Sequence, residues 1–479
     1  MRGCKAETGR FQGGFMMYDV RFMIYDFLTP PQKEMVTKSH YARFSISKFI
    51  YMQSSILVTA YAVNPYKGSE DGIAWNIIRQ MAEHNKILAI TRENNRAPIE
   101  KYLAANPLGD QAQLEFAYFD LPYWMRFWKK DGRGALLYHY IWHLAVVWFI
   151  WNKKFQFELA HHLNFNNDWT PSFLWLLGKP FVWGPIGHHP KVPKEYIQIY
   201  GYKAWLLEQV KWGVKKCFWH FDPFLKITKW KAAKIIALNS SVQKVLKVTE
   251  EKIIVIPAAG TERPNISITT TNKFIVLSIG RLVSLKGFDI TIEAFAQFYK
   301  QLPVEAQVNV QLVLIGKGPQ KKFLVDIIKK HNLPTHTIIM NDWMERTALT
   351  QYYANAKVFL FPSHEGAGMV VPEALSYGIP VLCFKNVGPG ELIDQDCGIA
   401  VPYSTRTASI THFAEILDSL YKEPAYRRDL SKNANKRFEN QFTWEGKGLA
   451  IQEVYATILS KENMPIHVAE KELTSIEVI

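Results

Sequence analysis

Two carboxylates, Glu365 and Glu373, stand with seven residues between them in the stretch FLFPSHEGAGMVVPEALSYG. The apolar run Val358–Phe361 reads as a buried parallel strand, and Pro362-Ser363 breaks it into a glycine-bearing loop. The spacing predicts a helix entered near Met369 and stopped by Tyr377-Gly378-Ile379-Pro380. Glu365 then lies in the loop, and Glu373 about two turns later inside the helix. Backbone N–H groups around Gly366, Gly368, Met369 and Val370 would point out of the helix start, where the dipole favours an anion. The expected chemistry is a phosphate at the helix mouth and a hydroxyl-rich group bracketed by two carboxylates. Upstream, Gly280-Arg281 and Lys286-Gly287 sit on one loop after the apolar run Phe274–Ile279. Two cations at a strand's carboxyl end can hold a diphosphate, Arg by its planar fork and Lys as a point charge. The plainer reading is a strand–loop–helix with incidental acids and a solvated basic loop.

The elements that must position these groups read as α/β units. ILVTAYA, from Ile56, is a strand, NPYKGSEDG a loop, IAWNIIRQMAEH a helix and ILAITREN the next strand. Such a βαβ unit implies a parallel sheet with a right-handed crossover, and ligands bind beyond the carboxyl ends of its strands. Gly68 permits close backbone approach in that loop, and Ser69 can cap the helix. The strand Ala160–Leu163 ends in His161-His162, either of which can face a cleft. A helix from about Thr170 to Leu177, the strand Phe181–Trp183 and the loop GPIGHHP follow. Ile235–Ala237 and KIIVIP are the last strands of a first domain, and the polar segment Ala258–Asn272 reads as a linker. In the second half, Phe274–Ile279, VQLVLI and Thr337–Met340 are strands, each followed by a loop and helical spacing. The turn Gly316-Lys317-Gly318-Pro319 is no Walker loop, because the spacing and a following Lys-Ser/Thr are missing.

A chain of 479 residues implies two domains, and a formal charge of +14 implies an anionic partner. Cys4, Cys217, Cys383 and Cys397 are scattered without a C-x-x-C, which argues against a zinc site or a disulfide scaffold and fits a reducing compartment. No secretory signal is visible. The uncharged stretch Gly134–Trp151 reaches the lower length limit of a membrane span, but its histidines and tyrosines favour a buried or interfacial helix. Leu121–Lys154 mixes aromatic and basic residues, and Tyr202–Lys234 carries eight lysines against two acids, with Trp205, Trp212, Trp219 and Trp230 interleaved. That mixture suits a bilayer interface, with rings among headgroups and ammonium groups on lipid phosphates; a solvated basic face is the alternative. No nucleic-acid module accompanies the charge. Residues 1–51 show no clear period, and Met52 precedes the first convincing strand.

E-G-x-G-x-x-x-x-E-A after a P-S loop and before G-x-P-V, together with G-R-x-x-x-x-K-G at residues 280–287, resembles family-4 glycosyltransferases. The resemblance is specific from Phe274 to about Leu459 and looser from Ile56 to Pro257. It implies the GT-B fold: two Rossmann-like domains with parallel sheets facing across a cleft. Residues 52–260 would form the acceptor-side domain and 261–442 the nucleotide-sugar domain. Residues 443–462 would form a helix crossing back, and 463–479 a tail. The implied activity is retaining transfer of a hexosyl group from a nucleoside-diphosphate sugar to an acceptor hydroxyl, in cell-surface polysaccharide or glycolipid synthesis. The resemblance implies that Arg281 and Lys286 neutralise the departing diphosphate, Glu373 binds the ribose and Glu365 addresses the sugar. Trp343 or a neighbour would lie by the base. His188 or His189 would face the donor sugar, although a histidine pair replaces the glycine run expected after G-P-I-G. The loop with Gly68 and Ser69 would lie by the acceptor. No metal or other cofactor is expected. A glycan or lipid-linked acceptor, an anionic membrane surface and a cytoplasmic location, with peripheral binding to the inner face of the plasma membrane, are. The alternatives are a catalytically silent GT-B protein that binds a glycan or partner, and a basic nucleic-acid binder reusing the fold.

Overall fold

The computed structural model describes residues 53–107, 109, 113–129, 134–163, 167–264 and 271–463. The expectations for residues 1–51, Met52 and the tail beyond Asn463 lie outside them. The first sheet has seven parallel strands: β1 Ser55–Ala60, β2 Lys86–Thr91, β3 Gln113–Tyr118, β4 Leu159–Leu163, β5 Phe181–Ile186, β6 Lys234–Ala237 and β7 Ile253–Val255. Their order is β3-β2-β1-β4-β5-β6-β7. The second has six parallel strands: β8 Phe274–Ile279, β9 Val310–Ile315, β10 Ile338–Asn341, β11 Val358–Phe361, β12 Val381–Phe384 and β13 Gly398–Val401. Their order is β10-β9-β8-β11-β12-β13. In both sheets the chain reverses its direction of growth beside the first strand, between β1 and β4 and between β8 and β11. A crevice forms at such a switch point.

The inner strands are buried on both faces, as helix-covered parallel sheets must be, so they read as apolar runs rather than alternating ones. Val58, Ile236, Leu277, Phe359 and Leu360 lie in the cores. The helix Trp444–Asn463 returns to the first domain, where Ala450, Ile451, Val454 and Tyr455 join the core beside Ile73 and Ile77 of the helix Ser69–Ala82. Asn85 Nδ2 donates to Gln452 Oε1 at 2.6 Å, and Lys447 Nζ donates to the Pro257 carbonyl.

The first domain also sends a segment across. Val192, Tyr196 and Ile197 are buried in the second domain's core, and Tyr200 Oη donates to Asp289 at 2.6 Å. Local differences from the sequence reading have local causes. The helix expected over Thr170–Leu177 shrinks to a 3-10 turn, Leu174–Leu177, because Asn167 Oδ1 takes the N–H groups of Trp169 and Thr170 and folds that stretch as a turn. The cap before the helix Ser69–Ala82 is Gly68, not Ser69. Strand β3 was not expected, since QLEFAY is a half-exposed edge strand with little apolar contrast. Among the described residues no helix is long and apolar enough to cross a membrane, and the helix Ala135–Lys153 buries one side in the first domain.

Candidate functional site

The loop after β11 carries Glu365, and the loop after β8 carries Lys286. Leu285 laces them together: its carbonyl accepts from the His364 N–H at 2.8 Å and from Ser363 Oγ at 3.2 Å. Gly287, at φ +69°, lies so close to the Pro362 carbonyl that any Cβ would collide with it. Lys286 Nζ lies 2.6 Å from Glu365 Oε2, with both side chains largely buried. The other oxygen, Glu365 Oε1, is buried and has no hydrogen-bond partner among the described residues. Arg281 shares the Lys286 loop but is solvent-exposed. Gly280 lies against the Lys286 stem, where an added Cβ would be 3.7 Å from Cδ.

Glu373 sits in the first turn of the helix Val371–Ser376, nearer the helix start than expected. Tyr353 Oη donates to its Oε2 at 2.9 Å. That helix has six residues and begins after Val370, so its dipole is a weaker anion trap than the sequence reading assumed. One expected free donor is already taken: the Gly366 N–H donates to His189 Nδ1 at 3.1 Å. Gly368 has φ +70°, and Ala367 and Met369 pack against the first domain's core. Trp343 is 63 % exposed at the carboxyl end of β10, and its side chain is open to a ligand there.

The first domain meets this loop through GPIGHHP. His188's carbonyl lies so close to Gly366 that only glycine fits, and Asn239 Nδ2 bridges the carbonyls of His188 (2.9 Å) and Gly366 (2.6 Å). His188 is buried, its Nδ1 donating to Asp168 Oδ2 at 2.7 Å and its ring between Trp212 and Trp219. His189 is half-buried against the Gly366 N–H; burial pushes its pKa down to about 4, opposed by the nearby Glu365 carboxylate. Lys215, also buried, donates to the His189 carbonyl at 3.3 Å. The structure thus brings His189, Lys286 and Glu365 together, and Glu373 follows further along the chain in the helix Val371–Ser376.

Two expectations fail here. His161 does not face the cleft: its Nδ1 accepts from Tyr455 Oη at 2.5 Å and its Nε2 donates to the Gly184 carbonyl at 2.7 Å, so it pins the returning helix inside the first domain. His162 is 2 % exposed, stacked 4.0 Å from the His143 ring. Strand alternation sends one histidine to each face of a sheet covered on both sides. Gly68 is exposed, in the loop after β1. Asp168, Asn239, Tyr353, Trp212 and Trp219 support the site without any sequence signal beyond residue type. A cavity of about 320 Å³ opens elsewhere, lined by Lys191, Lys194, Trp205 and Gln209 among others, and none of the candidate donor residues lines it.

Two parallel α/β sheets facing one another, with charged loops meeting at their strand ends, define the GT-B class. The family model for glycosyl transferases group 1 matches residues 261–437, and the solved structures similar to this chain share the GT-B fold. Glycogen synthase of Mycobacterium tuberculosis is 26% identical over 192 residues, 40% of this chain and 44% of that protein. The amylovoran biosynthesis glycosyltransferase AmsD of Erwinia amylovora is 28% identical over 146 residues, 30% of this chain and 38% of that protein. The chain thus spans less than half the length of these curated relatives in the matched region. Among solved structures, Anabaena HepE in complex with UDP covers 84% of this chain and 100% of its own at TM-score 0.55 and 16% identity. Sucrose-phosphate synthase from Thermosynechococcus elongatus covers 85% and 100% at TM-score 0.56 and 18% identity.

Proposed function

We propose that this protein transfers a hexosyl group from a nucleoside-diphosphate sugar to an acceptor hydroxyl with retention of configuration. One observation carries the reading: Lys286 and Glu365, from loops 79 residues apart, meet at 2.6 Å at the carboxyl ends of β8 and β11, opposite His189 of the other domain. Breaking the bond between the anomeric carbon and phosphate leaves charge on the diphosphate oxygens, and fixed cations in a water-poor cleft stabilise that charge most in the transition state. Lys286 is the inner cation. Arg281, exposed on the same loop, swings onto the outer phosphate. On donor binding Lys286 exchanges Glu365 for the phosphate, which frees both carboxylate oxygens for sugar hydroxyls. Oε1 already lacks a hydrogen-bond partner among the described residues, and a hydroxyl donor would satisfy it.

Glu373, held by Tyr353, accepts from the ribose diol. The departing phosphate takes the acceptor's proton as the new glycosidic bond forms on the same face. No glycosidase-like acid takes part in this step. The acceptor enters past the loop of Gly68. Polysaccharide and lipopolysaccharide proteins recur among the similar structures and relatives, among them WaaG and the O-antigen chain mannosyltransferase B of Escherichia coli. A cell-surface glycan or its lipid-linked precursor is therefore the acceptor class proposed here.

A membrane-facing surface belongs to this reading. Along the helix Tyr202–Phe221, Tyr202, Leu206, Leu207, Val210, Val214 and Phe221 are exposed at helical spacing, beside the exposed lysines 203, 211 and 216. An apolar stripe flanked by cations lies in an anionic bilayer surface. Trp212 and Trp219 do not join it, since they turn inward onto His188. The test of the activity is a donor panel with and without candidate acceptors. Sugar transfer, or slow donor hydrolysis without acceptor, is expected. Tight donor binding with neither reaction would mark a glycan-binding protein that has kept only the fold.

A further inference from the structure

The first domain buries a histidine cluster that the transfer reaction does not use. His139 and His143 stand four residues apart on the helix Ala135–Lys153, which places them on one face. His162, on β4, meets them from the sheet. Their exposures are 0%, 1% and 2%. The Nε2 atoms of His139 and His143 are 3.0 Å apart, the His143 and His162 rings stack at 4.0 Å, and one ligand nitrogen from each residue lies within 4.8 Å of the other two.

We infer that His139, His143 and His162 form a structural site for a first-row transition ion of the Zn2+ type. Three imidazoles are a donor set that suits zinc and its neighbours and not calcium or magnesium, which take oxygen. Two nitrogens on a tetrahedral zinc lie roughly 3.3 Å apart, given bonds of about 2.0–2.1 Å. The His139–His143 pair is already at that scale, and the full set, within 4.8 Å, must contract by about 1.5 Å at most. The spacing His-x-x-x-His on a helix, completed by a histidine from another element, lets one ion cross-link helix to strand. Water or hydroxide takes the fourth position. Tyr61 and Trp142 wall the group, with rings 5.1 Å from His139 and 4.9 Å from His143. Burial on all sides closes the site to substrate, so its effect is on stability.

The full chain, untagged and grown with added zinc, is dialysed and its metal measured by mass spectrometry. About one zinc per chain is expected. Metal-stripped protein reconstituted with Co2+ should show a visible ligand-field band of a nitrogen-rich tetrahedral site, displaced by Zn2+, and Zn2+ should raise the melting temperature by several degrees. His143→Gln should abolish the band. Should that variant fail to fold, His162→Asn is read in its place. Folded wild type with less than a tenth of an equivalent of zinc and no cobalt band would overturn the inference and leave a metal-free histidine stack. A band that survives in a folded His143→Gln chain, from surface histidines, would overturn it as well.

Discussion

At the residue scale Lys286 is the central group. Its ammonium is shared with a buried carboxylate, so removing it does two things at once: it withdraws charge from the diphosphate and leaves Glu365 buried and unpaired. The second effect destabilises by about 3–5 kcal/mol for pairs of this kind. Lys286→Ala should therefore lose most transfer activity and also melt earlier. The double change Lys286→Ala/Glu365→Gln should recover stability but not transfer, and recovery of both would remove Lys286 from the chemistry. Arg281 is exposed, so Arg281→Ala should lose transfer with the melting temperature nearly unchanged. Glu373→Ala should mainly weaken binding of the free nucleotide in calorimetry, and unchanged affinity would refute the ribose role. Burial holds His364 down to about 3 and His189 down to about 4. An unfolded histidine titrates near 6.5, so these two contribute stability above about pH 6.5 that is lost as pH falls below it. By pH 5 the loss is roughly 2 kcal/mol per histidine, and urea unfolding at pH 7.5 and 5 measures it.

At the element scale, strands and phosphate-side loops were legible in the sequence, and histidine orientation was not. Phe274–Ile279 and Val358–Phe361 read directly, because a buried parallel strand is an unbroken apolar run. Glu365 and Lys286 were legible because glycines flank both: Gly287 and Gly366 admit backbone contacts that no side chain allows. His161, His162, His188 and His189 stand in two identical pairs. Only the partner elements decide their roles: Asp168 holds His188, Tyr455 holds His161 and the Gly366 N–H reaches His189. Those partners lie up to 294 residues away, beyond any local pattern. The helix Tyr202–Phe221 likewise read as one basic, aromatic face and divides in two, with Trp212 and Trp219 inside and Leu207 and Val210 outside. Leu207→Asp combined with Val210→Asp should cut sedimentation with anionic vesicles several-fold while transfer to a soluble acceptor is kept. Unchanged sedimentation would dispose of the membrane face.

At the scale of the whole molecule, chain crosses between the domains in both directions. The helix Trp444–Asn463 returns to the first domain, and residues 192–200 reach into the second, so the divide at residue 260 expected from the sequence is an interleaved one. Tyr455→Phe removes the hydroxyl that meets His161 and should cost about 1 kcal/mol, seen as a lower urea midpoint with unchanged slope. The most direct test is thermal stabilisation by a panel of UDP-, GDP- and ADP-sugars, run in parallel on wild type and on Arg281→Ala. One nucleotide class should raise the wild-type melting temperature by several degrees and have much less effect on the variant. A panel in which no nucleotide sugar stabilises the wild type, or in which the variant responds equally, would contradict a diphosphate seated between Arg281, Lys286 and the two glutamates.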